Sequence, residues 1–290
     1  MITDILLLSI ALTALIIATI TDIKTREVPD WLNFSLIFAG IGIRLIYSSL
    51  TFDWSYLLYG IIGLFFFVIL GYIMFYTAQW GGGDSKLLMG IGALIGIKPV
   101  LQPIPLLIVF LFNVLLVGAV YGLIYSTVLA VIHRKKFLKK FSKLMHSKKM
   151  QRFRKIKLIT IIIICILFIF LFKDKIIDPF VLTTLIIVAL LFYLSYYLVV
   201  FVKAVELSSM YKWISPEKLT EGDWIAKKVK VNGKVITGPK DLGIEKAKIK
   251  KLIKLKKKGK IKKVKVKYGI PFVPSFLIAF ILSLAFGAWW

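Results

Sequence analysis

The chain has almost no cysteine, little histidine and few acids. One cysteine among 290 residues excludes a disulfide framework and a zinc site built from cysteine pairs. The two histidines, His133 and His146, lie in a basic stretch, so no metal site and no cofactor are predicted. Only 14 acidic residues stand against 40 lysines and arginines, a formal charge of +26. Chemistry in this chain therefore depends on very few carboxylates.

The chain is instead rich in apolar residues. Hydrophobic residues make up 59% of it, more than the roughly 45–50% of soluble domains. Because a membrane span needs about 20 mostly apolar residues, we interpret seven runs as spans: 2–21, 31–50, 56–79, 104–132, 156–172, 179–202 and 270–290. An eighth, glycine-rich run covers 85–101. The predicted fold is an all-α polytopic membrane protein of about eight transmembrane helices, with a small basic α+β cytoplasmic insertion before the last helix.

The basic charge is concentrated in two segments. Twelve lysines and arginines lie in 133–157 and 21 in 203–267, which leaves seven elsewhere. With eight spans, both segments fall on the same side as the first loop, and positive charge favours the cytoplasmic side. We therefore predict a multi-pass plasma-membrane protein whose basic segments attract anionic lipid headgroups. Nucleic-acid binding is not expected, because the lysines lack interleaved aromatics for base stacking.

These assignments divide the chain into five parts. They are a membrane core with the candidate site (1–132), a basic cytoplasmic loop (133–157), an additional transmembrane hairpin (158–202), a basic cytoplasmic domain (203–268) and a C-terminal transmembrane helix (269–290). In the basic domain, alternating residues around Val231-Asn232-Gly233-Lys234 predict a small hairpin. Helical and then alternating apolar spacing follows in 244–267.

Two aspartates stand at the same predicted membrane face. Asp22 follows the first apolar run, and Asp84 follows three glycines between the third and fourth spans. Two close carboxylates share one proton, so that such a pair can activate a water and protonate a leaving amine. The glycines would let the backbone unwind and approach a neighbouring helix or an extended peptide. For each aspartate alone, stabilisation at a helix N-terminus is an alternative explanation.

The residues around both aspartates resemble a protease family. Gly81-Gly82-Gly83-Asp84-Ser85-Lys86 resembles the G-x-G-D-x-K motif of the GxGD intramembrane aspartyl proteases. The segment from Asp22 to Asp30 resembles the D-x-(K/R)-x-R-x-(I/V)-P segment of the type IV prepilin peptidases. Archaeal preflagellin (prearchaellin) peptidases are the more similar subgroup. Bacterial members carry two Cys-x-x-Cys pairs, so N-methyltransferase activity is not expected of a chain with one cysteine.

The resemblance implies an aspartic endopeptidase that removes short basic leader peptides from prepilin-like or prearchaellin precursors at the cytoplasmic face. It implies that Asp22 and Asp84 form the catalytic pair. Other motif residues become candidates for substrate binding or for shaping the loop: Gly81, Gly83, Lys86, Lys24, Arg26 and Asp30, with Glu27 as a weaker one. The lysines and the arginine are also typical of positively charged cytoplasmic loops and interfacial side chains.

Two other functions stay open. Intramembrane acids mark cation or proton sites in transporters, so Asp22 and Asp84 are candidates for such a site. Transporters tend to have paired broken helices, and the sequence has a single glycine-interrupted site. The third hypothesis is a non-enzymatic scaffold that docks on lipid through 244–267, in which the aspartates would be dispensable.

Overall fold

The computed structural model describes residues 2–77, 79–98, 104–172, 178–231, 233–239, 241 and 243–289. These residues form ten α-helices: α1 (Ile2–Thr25), α2 (Asp30–Thr51), α3 (Trp54–Tyr76), α4 (Gly82–Ile95), α5 (Leu106–Ile132), α6 (Arg134–Met145), α7 (Lys148–Leu171), α8 (Pro179–Val205), α9 (Lys246–Lys257) and α10 (Val273–Phe286). They also form five strands: β1 (Tyr211–Ile214), β2 (Trp224–Ile225), β3 (Val229–Val231), β4 (Lys234–Thr237) and β5 (Val264–Lys267).

Five of the described helices are long and apolar enough to cross a membrane: α1, α2, α3, α5 and α8 with its π-helical extension. A helical polytopic membrane protein with a small sheet region is thereby confirmed. Eight spans are not, because α7 is not among these five and α4 and α10 have 14 residues each. That is about 21 Å of helix at 1.5 Å per residue, shorter than the hydrocarbon core of roughly 30 Å. Two loops are expected outside the cell, at 98–103 and 173–178, and all of their residues except Lys98 and Asp178 lie outside the described part of the chain.

The chain forms two compact units. The first comprises Met1–Tyr125, Ser215–Val264 and Gly269–Trp290, and the second comprises Ser126–Ile214 and Lys265–Tyr268. The helices that carry both motif aspartates, the last helix and most of the basic insertion therefore belong to one unit. The division into five parts by membrane crossings stays a prediction.

Residues with a positive φ end the two helices that carry Asp22 and Asp84. After α1, Arg26 takes a φ of 61° and Pro29 follows, which separates α1 from α2. Gly96 has a φ of 70° and ends α4. The run 85–101 is therefore not one continuous helix, because the left-handed backbone at Gly96 stops it after Ile95.

The helix α4 lies against α3 at very short range. A Cβ atom added to Gly63 would lie 2.3 Å from the carbonyl oxygen of Gly92, and one added to Gly92 would lie 2.4 Å from that of Gly63. Only glycine permits this approach. Aromatic side chains continue the buried core, with ring centroids 6.3 Å apart for Phe67–Phe110 and 5.8 Å apart for Phe110–Phe280.

The segment predicted as a basic loop, 133–157, is helical. It contains α6 and the first ten residues of α7. The apolar residues of α6 recur at helical spacing, which makes this helix amphipathic. Phe137 and Phe141 are half-buried, and the Phe137 ring lies 5.5 Å from that of Phe201. The lysines between them remain exposed. The charge of this segment is thus displayed on a helix surface.

The basic insertion has the small α+β structure that its pattern indicates. β3 and β4 form an antiparallel hairpin, whose predicted turn residue Asn232 lies outside the described residues. Lys248 pairs with Asp241 at 3.3 Å, and Lys256 pairs with Glu217 at 2.8 Å, so that α9 is held to the rest of the segment. The hydrogen bond from Lys256 lowers the pKa of Glu217 to about 2. In the second unit, β1 pairs with β5.

Candidate active site

Asp22 lies in the last turn of α1, and 4% of its surface is exposed. Its Oδ2 atom accepts a hydrogen bond from the backbone N–H of Val273 at 2.9 Å. Val273 is the first residue of α10, where the backbone N–H groups have no partners within the helix. The start of the last helix therefore holds the Asp22 carboxylate in place.

Asp84 is the third residue of α4 and is half-buried. Its Oδ2 atom accepts the Gly81 N–H at 3.2 Å, as an acid in the first turn of a helix often does. The expected unwinding is confined to Gly81, because Gly82 and Gly83 are already helical and none of the three has a positive φ. The need for glycine is steric instead. A Cβ atom at Gly83 would lie 3.2 Å from the Val28 nitrogen.

The two motifs meet at one end of the first unit. Val28, which belongs to the first motif, lies against Gly83 of the second. Asp22 and Asp84 are close enough for the charge of Asp22 to act on the Asp84 carboxyl. The structure thus brings together two carboxylates that are 62 positions apart in the sequence.

The other motif residues surround this end of the unit. The Nη1 atom of Arg26 donates to the Gly269 carbonyl oxygen at 2.6 Å, which ties the α1–α2 loop to the segment before α10. The Lys86 ammonium lies 2.8 Å from an Asp30 oxygen, an exposed ion pair that joins α4 to α2. Lys24 is exposed. These contacts favour a role in shaping the loops, and the functional roles of these residues stay predictions.

Two side chains that the motifs do not contain also shape this end. Asn33 of α2 is fully buried, and its Nδ2 atom lies 3.4 Å from the Gly83 carbonyl oxygen. Trp80 is 6% exposed, and its ring lies 5.6 Å from that of Phe276 in a T-shaped contact. An amide within an apolar run is a sequence signal for Asn33, since a buried amide needs a partner. Trp80 has no comparable signal.

The basic insertion contributes an acid near the α1–α2 loop. Burial raises the pKa of Asp223, the Thr220 N–H opposes this rise, and the negative charge of Glu27 adds to it. Glu27 and Asp223 therefore lie close enough to interact, although about 200 positions separate them. Among the described residues, no group of three or more His, Cys, Asp or Glu side chains could hold a metal ion.

Comparison with known proteins identifies the segment that carries both aspartates. Residues 9–123 match the type IV leader peptidase family. The segment is similar to that family over these residues. Curated preflagellin peptidases are similar to the chain: that of Methanococcus maripaludis is 44% identical over 82 residues, that of Methanocaldococcus jannaschii 40% over 81, and that of Methanococcus voltae 37% over 87. The resemblance inferred from the motifs is confirmed for this leader peptidase segment.

The leader peptidase segment is less than half of the chain. The stretches aligned with the three relatives cover 28%, 28% and 30% of this chain and 35%, 34% and 37% of the relatives. The chain thus spans about a third of the length of the curated relatives it matches. No solved structure matches the chain. The family match covers the residues around Asp22 and Asp84 but not the basic segments 133–157 and 203–267.

Proposed function

We propose that the chain is a membrane aspartic endopeptidase that removes the leader peptide from prearchaellin or prepilin-like precursors. The observation that carries this proposal is the meeting of the two motifs: Val28 lies against Gly83, next to Asp84, and the start of α10 holds Asp22. The similar proteins are preflagellin peptidases, which supports both the reaction and the class of substrate.

The two carboxylates act as a unit in the proposed reaction. Like charges at close range resist simultaneous ionisation, so the pair holds one proton between its two members. The ionised carboxylate takes a proton from a water molecule, whose oxygen forms a bond to the scissile carbonyl carbon. The protonated carboxyl gives its proton to the amide nitrogen as the carbon–nitrogen bond breaks. The backbone N–H of Val273 fixes the orientation of Asp22 during these steps.

The half-buried state of Asp84 fits access by a substrate. An extended peptide has to reach both carboxylates, so side chains beside Asp84 have to be small. Gly81 and Gly83 meet that requirement, since a Cβ atom at Gly81 would lie 3.3 Å from the Asp84 Oδ2 atom. We assign Lys24, Arg26, Asp30 and Lys86 to loop shaping or substrate binding around this entry.

Orientation in the membrane is part of the proposal. The start of α4 lies beside Asp22, whereas its last turn lines a cavity with Asp4 and Tyr56, at the start of α1 and α3. The helix α4 therefore runs from one end of the unit to the other despite its 14 residues. If α7 and α10 also cross, eight spans put Asp22 and both basic segments on the cytoplasmic face of the plasma membrane.

Anionic lipid is the second proposed partner. The segments 133–157 and 203–267 together carry 33 of the 40 basic residues. Exposed lysines on α6 and α9 point to attraction by an anionic membrane surface. This attraction is independent of the proposed chemistry and needs none of the motif residues.

The test of the function is cleavage of a purified precursor by the protein in detergent. We expect Asp22→Asn and Asp84→Asn each to abolish cleavage, and the double variant to be no worse than either one. Asp53→Asn is the matched control, because Asp53 is the exposed N-cap of α3 and asparagine also caps helices well. We expect it to cleave at the wild-type rate.

Substantial cleavage by either single variant would contradict the assignment of the catalytic pair. A wild-type protein that does not cleave precursors but moves protons or cations across a vesicle membrane in an Asp22-dependent way would favour the transporter. A protein without either activity that binds anionic vesicles would favour the scaffold.

A further inference from the structure

A buried arginine lies at the opposite end of α4 from Asp84. Arg44 belongs to the apolar helix α2 and is 3% exposed. An arginine within a membrane-spanning segment is costly and is found paired or at a functional position. Neither the motifs nor the proposed reaction uses this residue, so its contacts need an explanation of their own.

The guanidinium group of Arg44 donates to four backbone carbonyls. Its Nε atom lies 3.1 Å from the Ala93 oxygen, its Nη2 atom 2.8 Å from those of Leu94 and Ile95, and its Nη1 atom 3.0 Å from that of Tyr56. Three of these carbonyls belong to the last turn of α4, where oxygens have no partners within the helix. The cation also complements the negative end of the helix dipole.

The Arg44 side chain is also packed closely against glycines of neighbouring elements. A Cβ atom at Gly60 would lie 2.3 Å from the arginine Cδ atom, and one at Gly96 would lie 2.9 Å from its Nη2 atom. The Tyr56 ring lies under the guanidinium at 4.5 Å. Because α2, α3 and the end of α4 all contact this one side chain, it fixes α4 along its own axis.

The position of α4 along its axis determines where Asp84 stands. Asp84 and Ala93 are nine residues apart on one helix, about 14 Å at 1.5 Å per residue. An α-helix transmits an axial shift without absorbing it. A shift of the Arg44 end therefore moves the Asp84 carboxyl relative to Asp22, which is anchored separately by Val273.

We propose that Arg44 is a positioning residue that sets the separation of the Asp22 and Asp84 carboxyl groups by holding the last turn of α4. The expected effect of Arg44 on the reaction rests on the proposed function, whereas its expected effect on the separation of the two carboxyl groups does not. Lysine cannot replace the arginine, because a single ammonium does not bridge several carbonyls as a planar guanidinium does.

The kinetic test compares Arg44→Lys with Val114→Ala, a cavity-forming control in the buried core on α5. We expect Arg44→Lys to lower kcat by about 100-fold, the effect of a misplacement of about 1 Å, with little change in KM. We expect Val114→Ala to lower thermal stability but to leave kcat near the wild-type value. A loss of kcat that merely follows the loss of stability in both variants would overturn the proposal.

Rescue by a small cation separates positioning from general destabilisation. The cavity beside Arg44, about 580 Å³ in volume, gives a guanidinium ion a route to the carbonyls of α4 in Arg44→Ala. We expect methylguanidinium, but not methylammonium, to restore at least a tenth of the wild-type kcat at sub-denaturing concentration. Equal effects of the two ions would contradict the proposal.

A geometric readout keeps this inference separate from the proposed function. In a Cys165→Ser background, Asp22→Cys and Asp84→Cys can be joined by bifunctional thiol reagents of graded length. We expect Arg44→Lys to shift the spacer length that gives maximal cross-linking. An unchanged optimum would overturn the positioning role, whether or not the wild-type protein cleaves precursors.

Discussion

Two neighbouring glycines of α4 offer a matched test of the candidate site. A Cβ atom at Gly83 would lie 3.2 Å from the Val28 nitrogen and 3.3 Å from the Val28 Cβ atom. A Cβ atom at Gly82 would lie no closer than 3.6 Å to any neighbour, a ring carbon of Phe75. Gly83→Ala therefore pushes on the loop that follows Asp22, whereas Gly82→Ala makes an ordinary contact.

The expected magnitudes follow from these distances. To reach an ordinary contact, Val28 has to move by a few tenths of an ångström. If a shift of 1 Å lowers the rate by about 100-fold, Gly83→Ala should lower kcat by about 2–5-fold. Gly83→Val adds two further methyl groups, and we expect it to lose at least about 100-fold in kcat and about 1–3 kcal/mol of stability through overpacking. Gly82→Ala should keep its rate and be stabilised by up to about 1 kcal/mol.

The assay measures kcat and KM for precursor cleavage in one detergent, together with thermal unfolding of each variant. Because Gly83 is helical and has no positive φ, the effect of valine comes from contact with Val28 rather than from backbone strain. Equal kcat values for Gly82→Ala and Gly83→Ala would refute this reasoning. So would a Gly83→Val variant that cleaves near the wild-type rate.

Two further predictions concern the membrane. In a Cys165→Ser background in intact cells, cysteines replacing Ser147 and Lys246 should be shielded from an impermeant external thiol reagent, whereas one replacing Asp53 should be labelled; labelling at Lys246 would contradict the proposed orientation. Four exposed lysines of α9 have no ion pair among the described contacts. Neutralising them should weaken binding to anionic vesicles by about 4 kcal/mol, at about 1 kcal/mol per charge. Cleavage in detergent should not be lost. Those lysines are Lys250, Lys251, Lys254 and Lys257; unchanged vesicle binding, or lost cleavage, would contradict the prediction.

The parts of the fold that depend on local pattern are visible in the sequence. Long apolar runs predicted α1, α2, α3, α5 and α8 within a few residues, because the length of a span follows from the thickness of a bilayer. The hairpin of β3 and β4 and the helix α9 followed from alternating and helical spacing. The end of the helix within the glycine-rich run 85–101 was not predicted, because apolar composition does not reveal that Gly96 ends it.

Only part of the candidate site could be predicted from the sequence. Asp22 and Asp84 stood out because acids are rare in this chain and because their motifs resemble a known family. The donor that holds Asp22 is the backbone N–H of Val273, and a backbone group has no sequence signature. The close contact of Gly83 with Val28 was missed for a similar reason, since a short distance between the start of α4 and the α1–α2 loop depends on tertiary packing.

Arg44 stands out in the sequence as a charge within an apolar run, but its partners could not be predicted from the sequence. An arginine inside an apolar run predicts that nearby groups accept hydrogen bonds from its guanidinium. Carboxylates are the usual partners that sequence reasoning considers, but the acceptors here are carbonyls of Ala93, Leu94 and Ile95, about 50 positions away. Any residue type supplies such a carbonyl, so only the fold could identify them.

The arrangement of the first unit also bears on how the chain accommodates its basic segments. Asp22 and Val273 bond across 251 positions, although the chain leaves this unit after Tyr125 and returns to it first at Ser215 and again at Gly269. The entropy of closing a loop grows only with the logarithm of its length, about 0.6 kcal/mol for each doubling. Inserted segments between α5 and α10 therefore weaken the Asp22–Val273 contact very little, provided that the start of α10 keeps its packing against α1. The proposed chemistry therefore depends on the contacts of α1, α4 and α10, and we expect that the basic segments can differ in size and charge without altering it.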